Sequence, residues 1–161
     1  MSVLVSHENG RRLHEQVAAI LECAAALERE NKRFDDEMLY LANVYVPQIK
    51  KLLADATYDD AQGGAVPLAV LGSDVEVTDL DTGEDFHYRI VSSATFELEG
   101  DDVTFSSPIG KALMMRRVGD TVEFNAPIGK IRYKIKSITL SSDIDLRTHK
   151  EMEPHKSFEL V

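Results

Sequence analysis

The chain has a single cysteine, Cys23, and no tryptophan. One thiol cannot close an internal disulfide or build a multi-cysteine zinc site. Set in the run LECAAAL, Cys23 reads as a packed, inert side chain. Nowhere is there the ~20-residue apolar run that a membrane-crossing helix needs. The start, MSVLVSHENGRR, lacks an apolar stretch long enough for a secretory leader, so a cytoplasmic location and no membrane partner are expected. His149 and His155 lie six apart without acidic or cysteine partners at ligand spacing, and read as surface residues.

Charge is one-sided. A net of -10 over 161 residues argues against binding nucleic acid with the whole surface. Yet residues 108–136 carry seven basic residues (Lys111, Arg116, Arg117, Lys130, Arg132, Lys134 and Lys136) against Asp120 and Glu123, a local net of +5. Such polarity points to an oriented contact with another protein more than to catalysis.

The first sixty residues have helical periodicity. Leu13, Val17, Ile20, Ala24, Leu27, Asn31 and Phe34 step by four and three, an apolar seam interrupted only by Asn31. Leu39, Ala42, Val46, Ile49, Leu53 and Ala56 make a second seam, joined to the first by the charged segment KRFDDEM. The expectation is an antiparallel coiled-coil hairpin with residues 32–38 at its tip and a first arm over 7–33, ~40 Å long. Pro47 falls inside the second seam, where it either kinks the helix or restarts it; the unbroken phase favours the kink. At the tip, Asp35, Asp36 and Glu37 have two readings: acids that help a helix start, or carboxylates delivered to a distant cation such as magnesium.

A change of composition at TYDDAQGGAVPLAVLG ends the helical period. It divides the chain into a hairpin over 1–62, a second domain over 63–140 and a tail over 141–161. Past the boundary the period becomes two. Val75 and Val77, a turn at LDTGE around Gly83, and then Phe86, Tyr88 and Ile90 form a strand hairpin. Short strands are expected at 95–98 and 103–105. Ser106-Ser107-Pro108 is a helix entry, with the helix running to about Met115. Val122 and Phe124 lie on the next strand; Ile131, Tyr133 and Ile135 form one face of the last, and Lys130, Arg132, Lys134 and Lys136 its solvent side. A lysine-rich strand face also discourages edge pairing, which accounts for the alternation but not for Lys111, Arg116 and Arg117.

The runs GSDVEVTDLDTGEDFHYRIV and SSPIGKALMMRRVGDTVEFNAPIGKIRYKI resemble, in order and spacing, the C-terminal domain of the bacterial Gre (GreA/GreB) transcript-cleavage factors, over about residues 70–140. The resemblance implies an α+β fold in which a coiled-coil hairpin precedes an FKBP-like antiparallel sheet with one short helix. It also implies a monomeric accessory factor rather than an enzyme. Its partner would be RNA polymerase, with the globular domain at the rim of the secondary channel and the hairpin tip near the active centre. Nascent RNA would be met only there, indirectly. By position, Ser107, Pro108, Ile109, Gly110, Lys111, Arg116, Arg117, Lys130 and Arg132 would bind polymerase. Asp35, Asp36 and Glu37 would be the acids that assist cleavage, Asp36 and Glu37 sharing the polymerase's magnesium; no cofactor of its own is implied. The tip KRFDDEMLY departs from the family's GD.KEN.EY pattern. Three readings therefore stand: a cleavage factor, a non-cleaving regulator of the same channel, and a generic protein-binding adaptor.

Overall fold

The structure, a computed structural model, describes residues 3–92 and 100–140. The strand expected at 95–98, the tail, His149 and His155 lie outside the described residues. Helix α1 runs His7–Arg29, capped by the Ser6 hydroxyl, which accepts from the Asn9 N–H. It stops short of the expected Arg33. Asn31, with φ 58°, sits one residue past the cap; Lys32 N–H donates to the Leu27 carbonyl and Asn31 N–H to that of Glu28. This is the left-handed helix ending for which Asn is the second choice after Gly. The residue that interrupts the seam is the residue that ends the helix.

The return arm comprises α2 (Asp36–Tyr40), a wide π turn (Leu41–Tyr45) and α3 (Val46–Asp55). Backbone angles at Tyr40, Leu41, Tyr45 and Val46 are all right-handed helical, so the arm neither breaks nor restarts. Pro47 has no N–H to give and would crowd the carbonyl of Asn43; the wide turn just before it relieves both. The extra residue in that turn rotates the buried face. Before it the face is Met38, Leu41 and Tyr45, one position away from the expected Leu39 and Ala42; after it Val46 and Ile49 lie inward as expected. Leu39 is 43% exposed and Met38 1%.

Strand β1 (Val3–Val5) pairs in parallel with β2 (Ala56–Tyr58), closing the base of the hairpin. No sequence signal marked this two-stranded sheet. The second sheet contains β3 (Asp74–Asp79), β4 (Asp85–Val91), β5 (Asp102–Thr104), β6 (Thr121–Ala126) and β7 (Gly129–Thr139), ordered β5-β4-β3-β7-β6. It is antiparallel except for the parallel β4–β5 pair, which makes it mixed rather than wholly antiparallel. The alternation holds: Val75, Val77, Tyr133 and Ile135 are buried while Lys130, Arg132, Lys134 and Lys136 are exposed. In the LDTGE turn the Asp79 carboxylate accepts from the N–H groups of Asp81 and Thr82, and Gly83 takes φ 79°.

Helix α4 (Pro108–Leu113) begins where expected, with the Ser107 hydroxyl accepting from Gly110 N–H. It ends before the expected Met115, whose N–H donates instead to the Ala69 carbonyl. One cluster of buried side chains runs from Val5, Leu13 and Ile49 through Leu71 to Val75, Ile135 and Leu140. The core therefore crosses the change in composition near residue 63.

Candidate functional site

The hairpin lies against the sheet. Asp35, Asp36 and Glu37 do not stand ~40 Å from the body on a free stalk, as the expected coiled coil would place them. Asp35 caps α2, accepting from Met38 N–H at 2.8 Å. Glu37 accepts a hydrogen bond from the Ser92 hydroxyl at 3.2 Å, at the end of β4. Three residues on, the Tyr40 ring stacks on Phe105, with centroids 5.5 Å apart. Burial raises the pKa of Tyr40, which keeps its hydroxyl protonated. Among the described residues no group of three or more His, Cys, Asp or Glu side chains could hold a metal ion.

A closed hydrogen-bond circuit holds this arrangement. Tyr45 hydroxyl donates to Gln16 Oε1 at 2.6 Å, Gln16 Nε2 donates to the Leu71 carbonyl at 2.6 Å, and Leu71 N–H donates to the Tyr45 oxygen at 2.9 Å. All three residues are buried. One comes from each arm and one from the segment leading into β3, so the circuit ties both helices to the sheet.

Between the tip and α4 lies a groove of about 730 Å³. Asp35, Asp36, Glu37, Tyr40 and Gln48 form the hairpin wall; Phe105, Ser106, Lys111, Met114 and Met115 form the other. Met115 has φ 65°, uncommon for an unbranched bulky residue. It is held there because Met115 N–H donates to the Ala69 carbonyl and Ala69 N–H to the Arg116 carbonyl, each at 2.8 Å. Of the groove residues, the sequence marked the acids and Lys111 as functional candidates, and Ser106 and Met115 only as the two ends of a helix. Tyr40, Gln48, Phe105, Met114 and Met115 come from segments far apart in the chain, and no spacing could have joined them.

The SPIG residues divide by role. The Ser107 hydroxyl bridges the Thr104 carbonyl, 2.7 Å, and Gly110 N–H, 3.1 Å. A Cβ on Gly110 would lie 2.0 Å from the Thr104 carbonyl oxygen, so only glycine lets α4 approach β5 this closely. Ser107 and Gly110 thus seat the helix. Ile109 is half-buried, while Pro108 and Lys111 present exposed surface.

The basic stretch is partly matched inside the protein. Arg132 pairs with Asp81 at 2.8 Å and Lys136 with Asp85 at 2.9 Å, both across the sheet. These partners raise the pKa of each base. Lys111, Arg116, Arg117, Lys130 and Lys134 are exposed and make no ion pair to another described residue. The structure thus leaves positive charge on two elements, the end of α4 and the outer face of β7.

Comparison with known proteins bears on this site. The family described as "Transcription elongation factor, GreA/GreB, C-term" matches residues 68–140. The transcription elongation factor GreA of Thermotoga neapolitana is 34% identical over 96 residues, 58% of this chain and 60% of that protein. GreA of Aliarcobacter butzleri is 27% identical over 88 residues, 53% of this chain and 55% of that protein. The chain thus matches little more than half the length of these relatives. Among solved structures, a GreA/GreB elongation factor from Nitrosomonas europaea aligns over 86% of this chain and 98% of its own, with 19% identity and a TM-score of 0.47. The GreA factor homolog 1 (Gfh1) protein of Thermus thermophilus aligns over 86% and 99%, with 25% identity and a TM-score of 0.41.

Proposed function

With residues 68–140 forming a C-terminal domain of the GreA/GreB family, we propose that this chain is a transcription factor that binds RNA polymerase. It acts there as an accessory protein, in the cytoplasm, and regulates the secondary channel without assisting RNA cleavage. The observation that carries the second part is the placement of the three acids. Asp35 is spent on a helix cap and Glu37 is bonded to Ser92, so two of the three carboxylates already have partners inside the protein. Ligating magnesium would require Asp35 and Glu37 to give up those partners, which favours the non-cleaving reading. Docking rests on the unmatched cations Arg116 and Arg117, beyond α4, and Lys130 and Lys134, on β7, together with the exposed face of Pro108.

The test is a stalled, backtracked elongation complex supplied with this protein. The expected result is altered nucleotide addition with no acceleration of RNA cleavage over polymerase alone. Accelerated cleavage that disappears when Asp35, Asp36 and Glu37 are all replaced by Ala would return the chain to the cleavage factors.

A further inference from the structure

We propose that the groove between the hairpin tip and α4 is a docking slot for an arginine-bearing, otherwise apolar segment of the polymerase. The inference rests on the reading that polymerase is the partner. It assigns the tip acids to recognition rather than to metal chemistry.

The floor of the groove is apolar, with Tyr40 stacked on Phe105 and the methionines 114 and 115 beside them. Its volume, about 730 Å³, lies within the range that holds a ligand or a few peptide side chains. Methionine is flexible and polarizable and adapts to the shape that enters. The rim is charged, and unequally: Asp35, Asp36 and Glu37 on one lip face Lys111 on the other. An anionic occupant such as RNA would meet three carboxylates for one ammonium, which excludes a phosphate backbone on electrostatic grounds.

An arginine satisfies each part of the groove. Its aliphatic stem lies along apolar surface, its planar guanidinium stacks on an aromatic face, and its fork of donors makes two parallel hydrogen bonds to one carboxylate. Lysine provides the charge without the stacking or the fork. Flanking apolar side chains would fill the remaining space over the methionines. The depth of the groove requires the tip to sit against the body, the arrangement that the Tyr45–Gln16–Leu71 circuit maintains.

The experiment measures binding of the full chain to purified core RNA polymerase, with each variant's fold checked by circular dichroism. Asp36→Asn with Glu37→Gln keeps the hydrogen-bonding shape and removes two charges; affinity is expected to fall about tenfold or more. Lys111→Glu is expected to raise affinity about twofold or more, because it removes the one like charge in the slot. Gln48→Trp, on the exposed wall, is expected to fill the groove and weaken binding. A merely structural role would not move the charge variants in opposite directions.

Wild-type binding left unchanged by all three variants overturns the slot while leaving polymerase as the partner. Weakening by Lys111→Glu with no effect of the acid variants also overturns it, and assigns docking to the basic face alone. Absence of wild-type binding overturns both this inference and the reading it rests on. A dimer in sedimentation that Gln48→Trp dissolves would give the groove to a second copy of the chain, and overturns the slot as well.

Discussion

Tyr45 is fully buried, so its hydroxyl has to find its partners inside the protein. Burial also raises its pKa, which keeps the proton in place for donation to Gln16. Tyr45→Phe would leave the Leu71 N–H and the Gln16 carbonyl oxygen without partners in a dry site. The expected loss is about 1–3 kcal/mol in urea denaturation, larger than the removal of one exposed hydrogen bond. Gly110→Ala acts by contact instead: the added methyl meets the backbone of β5, and stability should fall by about 1–3 kcal/mol as α4 is pushed away. At Asp85 the Thr78 hydroxyl, and after it Lys136, hold the carboxyl below its ordinary value of 3.8. The stabilisation is present above pH 3.8 and is lost as pH falls through the lower folded value. Thr78→Val should move the Asp85 titration, followed by NMR, back toward 3.8.

At the level of elements, the return arm decides where the tip points. A regular helix through Pro47 would have to break a hydrogen bond and clash with a carbonyl, and the wide turn Leu41–Tyr45 avoids both. Its consequence is the one-position rotation that turns Met38 inward and Leu39 outward. Met38→Ala is therefore expected to cost about 2–5 kcal/mol, and Leu39→Ala less than about 1 kcal/mol, in the same denaturation experiment. Equal effects at the two positions would mean the face has been assigned wrongly. The outer face of β7 also has two populations of charge. Lys130 and Lys134 are unmatched among the described residues, whereas Arg132 and Lys136 already face Asp81 and Asp85. Reversing Arg116 and Lys130 to Glu should then weaken polymerase binding about tenfold in low salt and less in high salt. Reversing Lys136 should weaken it less than either unmatched cation does, since Asp85 already offsets its charge.

On the scale of the whole molecule, the hairpin is part of the body. Buried side chains form one cluster from α1 to β7, and the Gln16–Tyr45–Leu71 circuit crosses the junction with every group paired. The protein is expected to unfold in one cooperative step, with circular dichroism and tyrosine fluorescence giving the same midpoint. A fragment over 63–161 should bind a hydrophobic dye more than the full chain does, because Leu71 and its neighbours lose the helices that cover them. Two separated transitions and a dye-silent fragment would show instead that the parts are independent.

What the sequence determined by itself is what depends on neighbours along the chain. The alternation through Val75 and Val77 and through Ile131, Tyr133 and Ile135 sets strand faces, because a strand repeats every two residues. Ser107-Pro108 starts α4, and the LDTGE turn joins β3 to β4, through hydrogen bonds a few residues long. The order of motifs over 70–140 was enough to suggest the family. The π turn and the left-handed Asn31 lay at the edge of legibility: Pro47 and Asn31 both stood out, but each has more than one local solution, and packing chose between them. Only the tertiary structure decided where the acids are. Whether Glu37 meets Ser92 or open solvent, and whether Tyr40 meets Phe105, depends on the angle between hairpin and sheet. That angle is set by the burial of Tyr45, Gln16 and Leu71 against one another, residues 16, 45 and 71 positions into the chain, which no periodicity relates.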